Sequence, residues 1–414
     1  MNLYIDPGTG SMLFTILLGI IGVLRYFCKT LWMKLKVYFG IKKQQNEGET
    51  TIPFVIFSDD KRYWPVFEPV CRELDSRGFD VVYYTSSEDD PVLQNVYPRV
   101  KASYIGRGNK CFAKLNFLKA TILMSTTPGL EVYQWKRSRD VQYYVHLPHA
   151  ASDLSMYRMF GIDYYDAILI SGTYQEEQVR EMEALRGLSA KEITMVGVPY
   201  MDEMWKHLQA APKRKSDRVT VLLAPSWGKS SILQKYGKEF INKLLNTGYR
   251  IIIRPHPQSF VSEKQLMDKL MEEFPNDENI EWNRDIDNFA VLNEADILVS
   301  DFSGVMFDFA LVFDKPIVYT NNGFDVSPYD AWWLKSPIWT FSVLSKLGEE
   351  LKTDNLDKIK EVIDECLHNE KYSNGRALAR EEAWAYRRES AVRVAEYIIG
   401  KYKDLRKANE EESR

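Results

Sequence analysis

Ile297-Leu298-Val299-Ser300-Asp301-Phe302-Ser303-Gly304 is a short apolar strand that runs directly into a polar turn. The residues after it, Val305, Met306, Phe307, Phe309, Ala310, Leu311 and Val312, follow the apolar spacing of a helix. Lys315-Pro316 stops that helix, and Ile317-Val318-Tyr319 reads as the next strand. Asp296 to Tyr319 is therefore a β-α-β unit. Ser300, Asp301 and Ser303 at its strand-to-helix junction read as caps. With Gly304 they leave N–H groups and the positive end of the helix dipole facing outward, a cradle for a phosphate. Asp301 reads as an N-cap rather than a chemical base, and Asp308 as structural.

Two further strand ends belong with this junction. Val221-Leu222-Leu223 is followed by Ala224-Pro225-Ser226-Trp227-Gly228-Lys229-Ser230, and Ile251-Ile252-Ile253 by Arg254-Pro255-His256-Pro257. In a parallel sheet these three loops share one edge, so Ser226, Lys229, Arg254, His256 and the Ser300 to Gly304 turn converge on one pyrophosphate-sized space. Arg254 offers a fixed fork of donors, and His256 is held between two prolines. Both suit charge stabilisation of a leaving phosphate. The plainer alternatives are a strand-end salt bridge for Arg254 and a capped turn for His256.

The strands of this second half are Val219–Ala224, Tyr249–Ile253, Ile280–Trp282, Ile297–Val299 and Ile317–Tyr319, with helices near Lys238–Leu245, Glu263–Glu273 and Ile286–Asn293. An earlier series reads the same way. Its strands are Ile52–Phe57, Phe79–Tyr84, Ala102–Ile105, Thr121–Met124, Val141–Val145, Ala167–Ile170 and Ile193–Val196, with a helix over Val66–Arg77. Near-continuous apolar strands alternating with helices predict two Rossmann-like α/β halves facing a central cleft. The expected boundaries are 1–45 for an N-terminal segment, 46–212 and 213–376 for the halves, and 377–414 for one long amphipathic helix and tail packing across both.

In the first half, Val145-His146-Leu147-Pro148-His149 again ends a strand. A histidine facing a phosphate cleft is a natural general base for an acceptor hydroxyl. Either could serve, and His149 is preferred because His146 sits where it can pack inward. Two loop histidines without chemistry is the bland alternative. Ser125 and Thr126, after the strand at Thr121, supply small hydroxyls on the same acceptor side.

From Gly8 to Leu24 no residue is charged, and Arg25, Lys29, Lys34, Lys36, Lys42 and Lys43 follow, interleaved with aromatic residues. An apolar run with a basic flank after it predicts an uncleaved membrane anchor, with the body on the cytoplasmic side. A buried core helix is the alternative.

At 414 residues the chain is too long for one core, and 45% hydrophobic with 27% charged residues marks it as folded. A net charge of -4 argues against nucleic acid as a partner. The scattered Cys28, Cys71, Cys111 and Cys366 form no metal or disulfide framework, so no metal is expected.

At Arg254-Pro255-His256-Pro257, and at Ser300-Asp301-Phe302-Ser303-Gly304-Val305-Met306-Phe307-Asp308-Phe309 with Lys315-Pro316-Ile317, the chain resembles the CDP-glycerol glycerophosphotransferases, the teichoic-acid primases and polymerases. Weaker echoes are Ala224-Pro225-Ser226-Trp227 and Gly197-Val198-Pro199. The resemblance implies a GT-B fold, a CDP-linked donor such as CDP-glycerol in the C-terminal half, no cofactor or metal, and a membrane-associated lipid-linked or polymer acceptor. It assigns the donor pyrophosphate to His256 and the Ser300 to Ser303 loop, and acceptor activation to the first-half histidine loop. Three positions depart from the family pattern: the His146-Leu147-Pro148-His149 loop, Gly228 and Tyr200. A GT-B glycosyltransferase using a nucleotide sugar for envelope or capsular polysaccharide is the nearest rival, and a non-catalytic scaffold the third reading. The sequence does not specify an oligomeric state.

Overall fold

The computed structural model describes residues 51–412 apart from 95, 213–217 and 286, together with 24, 25, 28 and 31. The apolar run expected to anchor the chain lies outside the described residues except for Leu24. Among the described residues no helix is long and apolar enough to cross a membrane.

Two parallel sheets carry the fold. The first contains β1 (Ile52–Ser58), β2 (Val81–Thr85), β3 (Val100–Tyr104), β4 (Ala120–Ser125), β5 (Val141–His146), β6 (Ala167–Ile170) and β7 (Glu192–Met195). The second contains β8 (Thr220–Leu223), β9 (Arg250–Ile253), β10 (Ile280–Trp282), β11 (Ile297–Ser300), β12 (Ile317–Tyr319) and β13 (Gly348–Glu350). Their orders are β3-β2-β1-β4-β5-β6-β7 and β10-β9-β8-β11-β12-β13. Both are Rossmann-like, with the chain reversing direction beside β1 and β8, and the pair makes a GT-B-like arrangement.

Side-chain alternation explains why the strands are apolar throughout. Leu298 aligns with Leu222, and Val299 with Leu223. Leu222, Ile252, Leu298 and Ile317 face one helical layer, while Val221, Leu223, Ile251, Ile253 and Val299 face the other. Burial on both faces leaves no place for the polar half of an alternating strand.

The expected strands all form, within a residue or two at their ends. β13 was not expected, since Gly348-Glu349-Glu350 is a three-residue edge strand without an apolar run. The expected helix after Gly304 is also different: a single turn at Val305–Phe307 passes into a π-helical turn at Asp308–Val312.

The long C-terminal helix is corrected as well. One helix spans Glu370–Ala383 and a second Ser390–Glu412, and the chain breaks between them. Tyr386 and Arg388 there have φ of 48° and 75°, the left-handed region that non-glycine residues rarely occupy. The two helices still serve both halves. Ala379 and Ala383 pack into the second half's core, and Val394, Ala395 and Ile398 into the first's.

The crossing between the halves is tied down by Asp202 on the helix Pro199–Ala210. Its carboxylate accepts hydrogen bonds from Trp384 Nε1–H at 2.9 Å and from the N–H groups of Arg388 at 2.8 Å and Ser390 at 2.9 Å. Gly197 makes the crossing possible, because a Cβ there would lie 2.4 Å from Ala385 O. This gives the Gly197-Val198-Pro199 segment a physical reason for its glycine.

On the other side of the interface Asp153 accepts from the N–H groups of Trp339 and Thr340, both at 2.7 Å. Asp330 pairs with Arg186 and accepts from Phe160 N–H at 3.0 Å. Ala151, Val198, Met201 and Met204 complete an apolar core shared with Phe307, Leu311 and Trp339. Asp202→Ala strands three donors in or beside this core, and is expected to lower the unfolding free energy by roughly 3 kcal/mol. Urea denaturation measures it, and a loss below about 1 kcal/mol would show that the crossing does not depend on this carboxylate.

Candidate functional site

The loops after β8, β9, β11 and β12 surround a cavity of ≈ 700 Å³ at the carboxyl edge of the second sheet. Ser226, Lys229, Arg254, His256, Ser303 and Gly304 all line it. The sheet order is what brings them together, since β9, β8, β11 and β12 are consecutive neighbours.

Ser300 and Asp301 do not line this cavity. Ser300 is fully buried and its Oγ–H donates to Ala224 O at 2.7 Å. Asp301, also buried, does not cap the helix that follows it, whose N-cap is Gly304. Its Oδ1 accepts from the N–H groups of Ser226 at 2.8 Å and Phe302 at 2.7 Å, and its Oδ2 from Ile232 N–H at 3.0 Å. Asp301 therefore shapes the Ser226 to Ser231 loop from beneath. Burial raises its pKa, and the three N–H bonds oppose that rise.

Arg254 lines the cavity while two of its nitrogens are already engaged. Nη1 donates to Asn283 Oδ1, and Nη2 to Asp285 O at 2.9 Å. These bonds fix the plane of the guanidinium and leave its other donors for a ligand. His256 Nδ1 accepts from Gln258 N–H at 3.1 Å, so the neutral ring carries its proton on Nε2 and can donate. The capped turn and the functional geometry are thus the same arrangement.

Across the cleft, His146 and His149 separate clearly. His146 ends β5, is fully buried between Tyr157 and Tyr165, and has Nε2 3.1 Å from Tyr157 Oη. Burial pushes its pKa down to about 3. His149 lies beyond the strand, partly exposed, with Nδ1 3.3 Å from Thr126 Oγ1 and its ring 5.1 Å from that of Tyr63. Its pKa falls to about 4, first through desolvation by the surrounding protein and then through the Arg62 charge. Ser125 is buried and donates to Phe57 O at 2.8 Å, so it belongs to the sheet framework rather than to the cleft surface.

Arg62 connects the two walls. Its charge lowers the pKa of His256 as well as that of His149, burial being the larger cause at both. Sequence reasoning missed Asp59, Arg62 and Tyr63. The available signal was the charged run Asp59-Asp60-Lys61-Arg62 directly at the carboxyl end of β1. Asp59 accepts from Thr127 Oγ1–H at 2.9 Å, and crowding by protein atoms raises its pKa.

Asp308 was read as structural, yet it lines the cavity. The π-helical turn carries it there beside Asn288, whose Oδ1 accepts from Tyr200 Oη–H at 3.2 Å. Burial raises its pKa to about 7. Phe302 and Phe324, with ring centroids 4.7 Å apart, and the exposed Trp227 add aromatic walls. Among the described residues no group of three His, Cys, Asp or Glu is placed to hold a metal ion.

Fold and cavity together define an α/β protein of two parallel sheets with a cavity at the carboxyl edge of the second, lined by Lys229, Arg254 and His256. Residues 113–399 match the CDP-Glycerol:Poly(glycerophosphate) glycerophosphotransferase family, and the chain belongs to it. It is an enzyme of the glycerophosphotransferase type. No curated protein sequence matches the chain significantly. Among solved structures it is similar to the wall teichoic acid polymerase TagF in a crystal soaked with CDPG, at 15% identity and TM-score 0.54, covering 92% of this chain and 98% of that one. The UDP-GlcNAc 2-epimerase of Methanocaldococcus jannaschii, in complex with UDP-GlcNAc and UDP, is similar at 14% identity and TM-score 0.55, covering 83% and 99%. S. aureus MnaA with UDP is similar at 12% and 0.58, covering 86% and 98%. At these identities the likeness concerns the fold.

Asp308 supplies a pH dependence. Its folded-state pKa of about 7 lies above the ordinary carboxylate value of 3.8, so between those values the folded chain holds a proton that the unfolded chain has released. Stability from this group declines as pH rises between those values and is flat above them. Asp308→Asn is expected to stabilise the protein more at pH 8 than at pH 5, read from urea midpoints. An equal effect at both pH values would place its pKa in the ordinary range.

Proposed function

We propose that the enzyme transfers glycerol phosphate, or a related polyol phosphate, from a CDP-linked donor to an acceptor hydroxyl in a teichoic-acid-like envelope polymer. The cavity carries this reading. It combines Lys229, Arg254 and His256 with the open turn at Ser303-Gly304, and sets aromatic walls beside them. A nucleoside diphosphate needs that combination, cations and N–H donors for the pyrophosphate and flat apolar surface for the base. Family membership supports glycerol phosphate as the group transferred.

The acceptor oxygen attacks the distal phosphorus, the bond from that phosphorus to the bridging oxygen breaks, and CMP leaves with the electron pair. His256 Nε2–H, Arg254, Lys229, Ser303 and Ser226 meet the charge on the pyrophosphate. His149 takes the acceptor proton. That role requires the tautomer in which Nδ1–H donates to Thr126 Oγ1, leaving the Nε2 lone pair for the hydroxyl. The reaction as written uses no cofactor or metal. The uncharged run from Gly8 to Leu24 and its basic flank support a membrane position, body on the cytoplasmic side, where a lipid-linked or polymer acceptor is within reach.

CMP release from CDP-glycerol in the presence of native membranes tests the reading, and turnover of UDP- or GDP-sugars alone would replace it with the glycosyltransferase. His149→Ala is expected to lower turnover by at least about 10²-fold while CDP-glycerol affinity stays within about twofold. His256→Ala should reduce both. Unchanged turnover in His149→Ala would remove it from the proton transfer.

A further inference from the structure

A second crevice, of ≈ 450 Å³, opens at the junction of the halves. Trp205, Leu208 and Gln209 come from the first half, Leu311 to Asp314 from the second, and Arg380, Trp384, Arg387 and Arg388 from the helix end and crossing segment. Its lining sets three guanidinium groups, Arg380, Arg387 and Arg388, against the one carboxylate of Asp314. That carboxylate is already shared, with Arg376 Nε at 2.9 Å and Arg380 Nη2 at 3.0 Å.

The arginines are positioned rather than loose. Arg380 Nε–H donates to Leu311 O at 2.8 Å. Arg388 stacks over the Trp205 ring with its guanidinium carbon 5.1 Å from the centroid, and its backbone is pinned by Asp202 at φ 75°. Arg387 pairs with Glu381 through Nη2, but its Nη1 is buried without a hydrogen-bond partner. A buried guanidinium donor without a partner is an unmet hydrogen-bonding demand at the wall of this crevice.

We propose that this crevice is a second ligand site, separate from the donor cavity, for a glycerophosphate-class anion. The guanidinium forks match phosphate oxygens, while the half-buried Trp205 beside them gives apolar surface for a short polyol. Its volume falls within the usual range for small-molecule sites, roughly 300–1,000 Å³, and exceeds what a bare phosphate fills. The shared chemistry has two sources, a free glycerol phosphate or the headgroup of a glycerophospholipid. Leu311 and Val312 in its wall belong to the same π-helical turn whose first residue, Asp308, lines the donor cavity. Occupancy is thus placed to be felt at both sites.

Isothermal titration of the full chain with sn-glycerol 3-phosphate tests this, with and without saturating CDP to block the donor cavity. Binding is expected to persist with CDP present. The double variant Arg387→Ala/Arg388→Ala should weaken it at least about tenfold. Gln209→Glu, an exposed lining position that adds a like charge to the ligand without touching the crossing, should weaken it similarly. Co-sedimentation with phosphatidylglycerol vesicles separates the sources: binding to vesicles but not to glycerol 3-phosphate, lost in both variants, assigns the lipid headgroup. No binding to either probe at millimolar concentration, or binding indifferent to both variants, would overturn the site. A failure of CDP to bind would count against the donor reading alone, because the titration without CDP still reports on this crevice.

Discussion

Everything that makes a cleft of this molecule depends on a buried carboxylate, Asp202, holding the chain as it crosses from the second half back to the first. Each sheet packs against its own helical layers, so the contact between the halves rests on the apolar core they share and on a few buried carboxylates. The crossing ties them. Asp202 gathers Trp384, Arg388 and Ser390, and the surrounding turn tolerates left-handed backbone at Tyr386 and Arg388 only because those bonds over-determine it. Asp153 and Asp330 perform the same service at the other side of the interface, where loops of the second half lean on the first. Buried acids accepting several N–H bonds are rigid struts, and rigid struts are what an alignment of two catalytic walls requires.

The electrostatics of the cleft follow from that alignment. Arg62 on the β1 edge acts on His149 beside it and on His256 across the gap. Burial is the larger cause and the Arg62 charge adds to it, so both pKa values are lowered and both rings are kept neutral near pH 7. A neutral His256, accepting from Gln258 N–H through Nδ1, has a proton on Nε2 to donate, and His149 Nδ1 lies 3.3 Å from Thr126 Oγ1. Asp308 adds a carboxyl poised near neutrality on the wall of the second sheet's cavity, through burial rather than through a charged neighbour.

Most of the strands were legible from the sequence, because apolar runs such as Val221-Leu222-Leu223 and Ile251-Ile252-Ile253 have no other place to go than a sheet buried on both faces. β13 escaped because an edge strand of Gly-Glu-Glu carries no such run. The convergence of Lys229, Arg254, His256, Ser303 and Gly304 was legible too, since parallel strands deliver their following loops to one edge. Ser300, Asp301 and Ser125, expected at the ligand surface, are buried and bond to backbone, for a common reason. Small polar residues at strand ends bind either a ligand or their own backbone, and the local sequence is the same for both.

By itself, then, the sequence determined the two-sheet architecture, the edge at which ligands meet the protein and the chemical character of that edge, because apolar periodicity and strand-end polarity are local properties. Which side chains face the cleft was decided only by tertiary packing. His146 turned inward onto tyrosines while His149 stayed at the surface, and Asp301 turned beneath a loop while Asp308 was carried into the cavity by a π-helical turn. Arg62 and the arginines of the crossing segment acquired their significance from partners far away in the chain. Those relations rest on contacts between elements brought together after folding, which no local pattern encodes.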